Sequence, residues 1–275
     1  MRLKLAFSTC PNDTFMFEAI VNKRIDTLNY NFELTLADID ILNKLTSNNE
    51  VDIAKISFNN YPLISKNYQL LRSGSAIGFG NGPMIISKHK IELKDLKHKK
   101  IAIPGENTTA NLLLKRLFPD IRTKKVYLFS DIERAILEGE VDAGLIIHET
   151  RFTYKQRGLQ QVADLGHEWE KQTGLPLPLG GITIRRDLPE KIKIDIQQIM
   201  QESVKYALNN PEKPMPYVKR HAQDISDEVV SQHINLYVNS KSIRIDNESE
   251  HAINQLLSLS SEFYNTILSK PIFID

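Results

Sequence analysis

The chain contains one cysteine in 275 residues, so Cys10 has no partner for an internal disulfide. Neither charge is in surplus: 35 Lys and Arg stand against 34 Asp and Glu, and no overall field recruits nucleic acid or an anionic membrane. No window approaches the ~20 apolar residues needed to span a bilayer. The N-terminal MRLKLAFSTCPNDTF has two early cations, but Ser8 breaks its apolar stretch too soon for the core of an export signal. A reducing, cytoplasmic location is expected. There is no Gly-x-Gly-x-x-Gly motif, and PGENTTA (104–110) lacks the Gly-Lys-Thr ending of a phosphate loop, which disfavours nucleotide hydrolysis. No histidine pair has helical metal-ligand spacing and no cysteine joins one, so no metal site is expected.

What remains is an ordinary globular composition, 41% hydrophobic and 25% charged, long enough for one large domain or two lobes. The basic run from Lys88 to Lys100 alternates with Glu92, Leu93, Asp95 and Leu96 and reads as a solvated helix or loop. The informative feature is a repetition. RLKLAFS (2–8), DTFMFEAIVNK (13–23, with Asp13 as cap), FELTLAD (32–38), IDILNKLTSN and EVDIAKIS (50–57) read as strand, helix, strand, helix, strand. The same order recurs in KIAIP (100–104), TTANLLLKRLF (108–118), KKVYLF (124–129), SDIERAILEGE (130–140) and VDAGLII (141–147). Both passes close on Glu-Val-Asp. Alternating strands and helices form parallel sheets covered on both faces, so each pass predicts one α/β lobe.

Two Gly- and Pro-containing segments, IGFGNGPMIISK (77–88) and TGLPLPLGGITIRRDLP (173–189), mark two chain crossings. The division expected from them is one discontinuous larger lobe, 1–85 with 176–275, and a second lobe, 86–175. After the second crossing, KIDIQQIMQESVKYALNN, ISDEVVSQHINLYV and ESEHAINQLLSLSSEFYNTIL show helical spacing and are expected to pack on the first lobe.

Ligands of open α/β sheets lie beyond the carboxyl ends of the strands. That rule groups STCPNDT (8–14), KISFNN (55–60), PGENTTA (104–110) and HET (148–150) around a cleft. A helix start there offers unpaired amides to an anion, worth about 0.3–1 kcal/mol and up to ~2 when partly buried. Thr108, Thr109 and Ala110 are small enough to admit a carboxylate, although Thr108 and Thr109 also suit plain N-capping. Ser57 and Asn59 close the other side, and Lys55 reads equally as a ligand contact or an ion-pair member. Asn12 and Asp13 can bond backbone groups in the first loop, Pro11 fixes it, and Cys10 reads as packing. His148 is the one histidine that the pattern puts at a strand's carboxyl end, suited to proton abstraction near neutrality. His89, His98 and His167 fall in polar segments; His221, His233 and His251 fall on C-terminal helices, where a solvated surface role is expected.

STCPNDTFMFEAI, the TTANLLL helix start, GLIIHETRFTYKQRGLQQVADLG and TGLPLPLGG, in that order, resemble the 1,4-dihydroxy-6-naphthoate synthase family of the menaquinone pathway, which acts after futalosine cyclisation. Thr9 and Thr150 depart from it, standing where proline and glycine are expected. The resemblance implies an α/β, two-lobed fold of the periplasmic-binding-protein type II kind, each lobe a mostly parallel sheet flanked by helices, with a cleft between. It implies a small carboxylate substrate, cyclic dehypoxanthinylfutalosine, cleaved without metal or organic cofactor. It also implies His148 as proton acceptor and Lys55, Ile56, Ser57, Thr109 and Ala110 as substrate-contact positions, with Thr108 adjacent. The rivals are a transport binding protein, which needs an export signal or lipid anchor, the chorismate dehydratase of the same pathway, and a non-catalytic carboxylate sensor. No feature specifies an oligomeric state.

Overall fold

The computed structural model describes residues 1–147, 150–222 and 226–274. The first pass runs β1 (Arg2–Phe7), α1 (Pro11–Val21), β2 (Asn31–Leu36), α2 (Ile39–Ser47) and β3 (Ile53–Ser57). A short helix α3 (Tyr61–Ile64) and strands β4 (Tyr68–Leu70), β5 (Ala76–Gly78) and β6 (Met84–Ser87) lead out of it. The second pass is β7 (Ile101–Ile103), α4 (Thr109–Leu117), β8 (Lys124–Val126), α5 (Ile132–Leu137) and β9 (Ala143–Ile146). Then come α6 (Thr150–Thr153), β10 (Gln160–Asp164), α7 (Leu165–Thr173) and β11 (Leu177–Arg185). The chain ends in helices α8 (Glu190–Asn209), α9 (Met215–His221), α10 (Asp227–Tyr237), α11 (Ser240–Ile243) and α12 (Asn247–Tyr264).

The chain divides into two compact units, Met1–Ile77 with Pro178–Asp275, and Gly78–Leu177. In the first, the strands order as β2-β1-β3-β11-β4, with β5 also paired to β11. β1 is parallel to β2 (Leu3 opposite Phe32) and to β3 (Leu5 opposite Ile53), whereas β11 runs antiparallel to β3 and β4. In the second unit the order is β10-β6-β9-β7-β8, with β7 parallel to β8 and β9, and β6 antiparallel to β9 and β10. The parallel part of each sheet is thus the repeated strand–helix unit. The antiparallel strands come from segments outside the repeat, where a returning chain needs no helical crossover. The C-terminal tail extends the first sheet, with Leu70 N donating to Ile272 O at 2.8 Å and Ile274 N to Leu70 O at 3.0 Å.

The two Glu-Val-Asp triplets do the same work. After α2, Glu50 N donates back to Leu45 O (2.9 Å) and Asn49 N to Thr46 O (3.1 Å), with Asn49 left-handed at φ 57°. After α5, Glu140 N donates to Ala135 O (2.9 Å) and Gly139 N to Ile136 O (3.1 Å), with Gly139 at φ 77°. This six-to-one closure satisfies the last helical carbonyls and turns the chain into the strand. Val51 and Val141 are then buried. Asp52 accepts Lys4 N at 2.8 Å and Asp142 accepts Lys100 N at 2.7 Å, each locking the incoming strand to the first strand of its pass.

Packing follows from composition. β3 is buried at all five positions. α1 is buried from Pro11 to Ile20, because the sheet lies on one side and α8, α9 and α10 pack against it. Phe7 of β1 stacks on Phe17 of α1 with centroids 4.4 Å apart, a pair that adds about 0.5–1.5 kcal/mol beyond its buried area. α1 starts two residues earlier than the sequence predicts: Cys10 is the N-cap and Pro11 occupies the first turn. Proline's fixed φ and missing N–H suit that position, so Asp13 is not a cap but a first-turn carboxylate turned inward. In the second unit Met84, Ile86, Ala102, Ile132, Ile136 and Ile146 form the core. A Cβ on Gly144 would overlap Ile132 and approach Ile136 Cδ1 to 2.8 Å, so glycine lets α5 lie directly on β9. The Lys88–Lys100 run is mostly exposed and pinned by buried Leu96. Among the described residues no helix is long and apolar enough to cross a membrane.

Candidate functional site

The carboxyl end of β1 leads into Ser8, Thr9 and Cys10 and then into α1. Cys10 N donates to Ser8 Oγ at 3.3 Å, and Ser8 Oγ donates to Asp13 Oδ2 at 2.6 Å. Asp13 Oδ1 lies 2.9 Å from Lys55 Nζ, with both side chains buried, and Lys55 also donates to Gly74 O at 3.2 Å. Of the two sequence readings of Lys55, ion-pair membership is the one the geometry displays. Asn12 Nδ2 donates to Asp13 Oδ1 at 3.0 Å, and Asn12 Oδ1 lies 3.1 Å from His233 Nε2. Four side chains from α1, β3 and α10 therefore meet in one buried polar cluster.

His233 corrects an expectation. Sequence reading puts it on a solvated helix face, yet it is 1% exposed. It shares the inward stripe of α10 with Val230, Ile234 and Tyr237, a three-and-four spacing already present in the sequence. His89, His98, His167 and His251 are exposed.

Further along β3, strand alternation puts Ser57 on the same face as Lys55 and Ile56 on the opposite one. Ile56 is fully buried and opposite Gly181. Ser57 N donates to Asn43 Oδ1 at 3.0 Å, and Asn43 Nδ2 reaches Ser57 Oγ at 3.4 Å, so α2 fixes the end of the strand. Asn59 is held from α12: its Oδ1 accepts Ser260 Oγ at 2.6 Å and its Nδ2 donates to Tyr264 OH at 3.0 Å. Asn43 and His233 are the members that sequence reasoning missed, and Asp13 is read there as a cap rather than as the partner of Lys55. Asp13 has a signal, since a lone lysine inside a buried strand calls for a buried carboxylate.

Thr108, Thr109 and Ala110 belong to the second unit, together at the start of α4. Thr108 is the N-cap, accepting Asn111 N at 3.2 Å and donating to Gly105 O at 2.8 Å, so the capping role holds. All three are buried. Asn111 Nδ2 donates to Glu106 O at 2.7 Å, and its Oδ1 lies 3.4 Å from Lys124 Nζ. Burial, reinforced by the nearby Lys115 charge, lowers the Lys124 ammonium below the usual lysine range. β9 ends at Ile146 and α6 begins at Thr150; His148 lies outside the described residues. Arg151 of α6 donates to Gly82 O at 2.8 Å and faces Asp164, which caps α7 through Gly166 N and His167 N. Among the described residues no group of three or more His, Cys, Asp or Glu could hold a metal ion.

This architecture of two mixed sheets, each built on a repeated strand–helix unit, is a periplasmic-binding-protein-like fold. The alkanesulfonate-binding protein of Xanthomonas axonopodis shares it at a TM-score of 0.73 with 14% identity, over 99% of this chain and 96% of that one. A solved protein of Archaeoglobus fulgidus is nearer, with a TM-score of 0.90, 34% identity, and 96% and 98% of the two chains covered. The menaquinone biosynthesis family model matches residues 3–262. Two curated relatives are each named 1,4-dihydroxy-6-naphthoate synthase. The protein of Thermus thermophilus is 41% identical over 93% of both chains, and that of Streptomyces coelicolor 38% identical over 93% of this chain and 92% of its own. The chain belongs to the menaquinone biosynthesis family.

Proposed function

We propose that the protein is a carbon–carbon lyase that converts cyclic dehypoxanthinylfutalosine to 1,4-dihydroxy-6-naphthoate and a fragment of the former ribose. The observation that carries this reading is the match, over nearly the whole chain, to two enzymes named for that product. Metal and organic cofactors play no part in it. The reading takes substrate-contact residues from the first unit, Met1–Ile77 with Pro178–Asp275, and from the second, Gly78–Leu177. Asn12, Lys55, Ile56, Ser57 and Asn59 serve from the first, Thr108, Thr109 and Ala110 from the second, and the protein works in the cytoplasm.

His148 acts as the base. It removes a proton from the sugar-derived ring, which sets off ring opening and carbon–carbon cleavage driven by aromatisation of the naphthoate. A positioned general base contributes roughly 10² to 10⁴ in rate. Holding the substrate away from water and in one orientation supplies the rest. Support for an anionic substrate comes from the start of α4, where buried, small residues follow a Thr108 cap. Incubating the purified protein with the cyclic substrate and identifying the product tests the assignment. Naphthoate is expected; intact substrate after incubation with folded protein overturns it, and binding without conversion points to a non-catalytic carboxylate binder.

A further inference from the structure

Asn12 and Lys55 are 6% and 4% exposed, and their polar atoms are engaged inside the first unit. Asp13 Oδ1 takes Lys55 Nζ at 2.9 Å and Asn12 Nδ2 at 3.0 Å, while Oδ2 takes Ser8 Oγ at 2.6 Å. An amide oxygen only accepts. With Asn12 Nδ2 committed to Asp13, the 3.1 Å contact between Asn12 Oδ1 and His233 requires His233 Nε2 to carry the hydrogen. The donors then run in one sense, His233 to Asn12 to Asp13, with Lys55 meeting the same carboxylate from β3. Reversing the Asn12 amide would set its oxygen against the Asp13 carboxylate, so the carboxylate fixes the amide and, through it, the tautomer of His233.

We infer that Asp13 and His233 are positioning residues of the reaction. Asp13 fixes Lys55 and Asn12 with a single carboxylate oxygen, and His233, from a helix that follows the second crossing, fixes the face that the Asn12 amide presents. The inference rests on the reading of Asn12 and Lys55 as substrate-site residues. It differs from a packing role in what it predicts for binding: losing the donor on His233 misorients the site without removing any residue assigned to touch substrate.

The test uses the full chain and the cyclic substrate, with kcat and KM expressed per folded molecule. His233→Leu keeps bulk and removes the donor; KM is expected to rise about tenfold with kcat largely kept, the scale of one buried hydrogen bond. His233→Gln places an amide NH₂ near the site of Nε2, and is expected to rescue kcat/KM to within about threefold of wild type. Asp13→Asn leaves Lys55 without its counter-charge and is expected to lose about a hundredfold or more in kcat/KM; if it does not fold, the His233 pair decides. Wild-type constants in folded His233→Leu, or a His233→Gln variant as impaired as His233→Leu, would overturn the inference. Wild type that yields no naphthoate defeats the substrate reading and this inference with it, whereas active wild type with unaffected variants defeats this inference alone.

Discussion

Replacing Lys55 by methionine removes a charge from the first unit's interior while keeping most of the stem. Its Nζ stands 2.9 Å from Asp13 Oδ1, with both groups buried. At that separation and an effective dielectric of about 20, the Coulomb attraction is about 6 kcal/mol, largely offset by the cost of burying two ions. The net value of the pair is therefore modest, but breaking it is not. Asp13 would keep its bonds from Ser8 and Asn12 and lose the Lys55 charge. A buried carboxylate stranded in this way destabilises by about 3–5 kcal/mol. Urea unfolding followed by far-ultraviolet circular dichroism measures the loss. Adding Asp13→Asn to Lys55→Met removes the stranded charge, so the double variant should recover about 2 kcal/mol relative to the sum of the singles. A Lys55→Met loss under about 1 kcal/mol, or strict additivity in the cycle, would refute the buried-pair argument.

Gly144→Ala drives a methyl into Ile132 and Ile136 of α5 and should lower stability by about 1–3 kcal/mol, read from the same unfolding curves. Asp52→Ala and Asp142→Ala remove equivalent carboxylates from equivalent strand starts; each should lose about 1–2 kcal/mol, and a large loss at one with none at the other would contradict their shared role. Glu133 is buried with Oε1 unpaired among the described residues, and burial raises its pKa against the opposing Arg157 charge. The folded state then holds this proton more tightly than the unfolded chain. Its contribution is full below the ordinary carboxyl range and is lost as pH rises through the raised value. Thermal melts should show Glu133→Gln gaining on wild type at about pH 7.5 and matching it near about pH 4.

Much of the fold is legible because its signals are local. Strand alternation, helical spacing and the two Glu-Val-Asp triplets lie within short windows, and the triplets recur because one hydrogen-bonding task recurs at Lys4 and Lys100. The antiparallel strands β6, β10 and β11 are less legible, since a partner dozens of residues away sets their direction. At the site, Thr108 capping is readable from the residue alone, whereas the Lys55–Asp13 pair joins positions 42 apart. The start of α1 is harder to read, because Asp13 is a good cap by type and Pro11 a better first-turn residue by geometry. Polarity alone puts His233 outside, against the phase of its own helix. There Val230, Ile234 and Tyr237 put position 233 inward, and Asn12 supplies the acceptor.

The most direct test of the account is a single-turnover comparison of wild type and His148→Ala, each saturated with cyclic dehypoxanthinylfutalosine. The wild type should release 1,4-dihydroxy-6-naphthoate, and the variant should bind comparably while turning over at least about a hundredfold more slowly. Naphthoate formed by His148→Ala at the wild-type rate would contradict it.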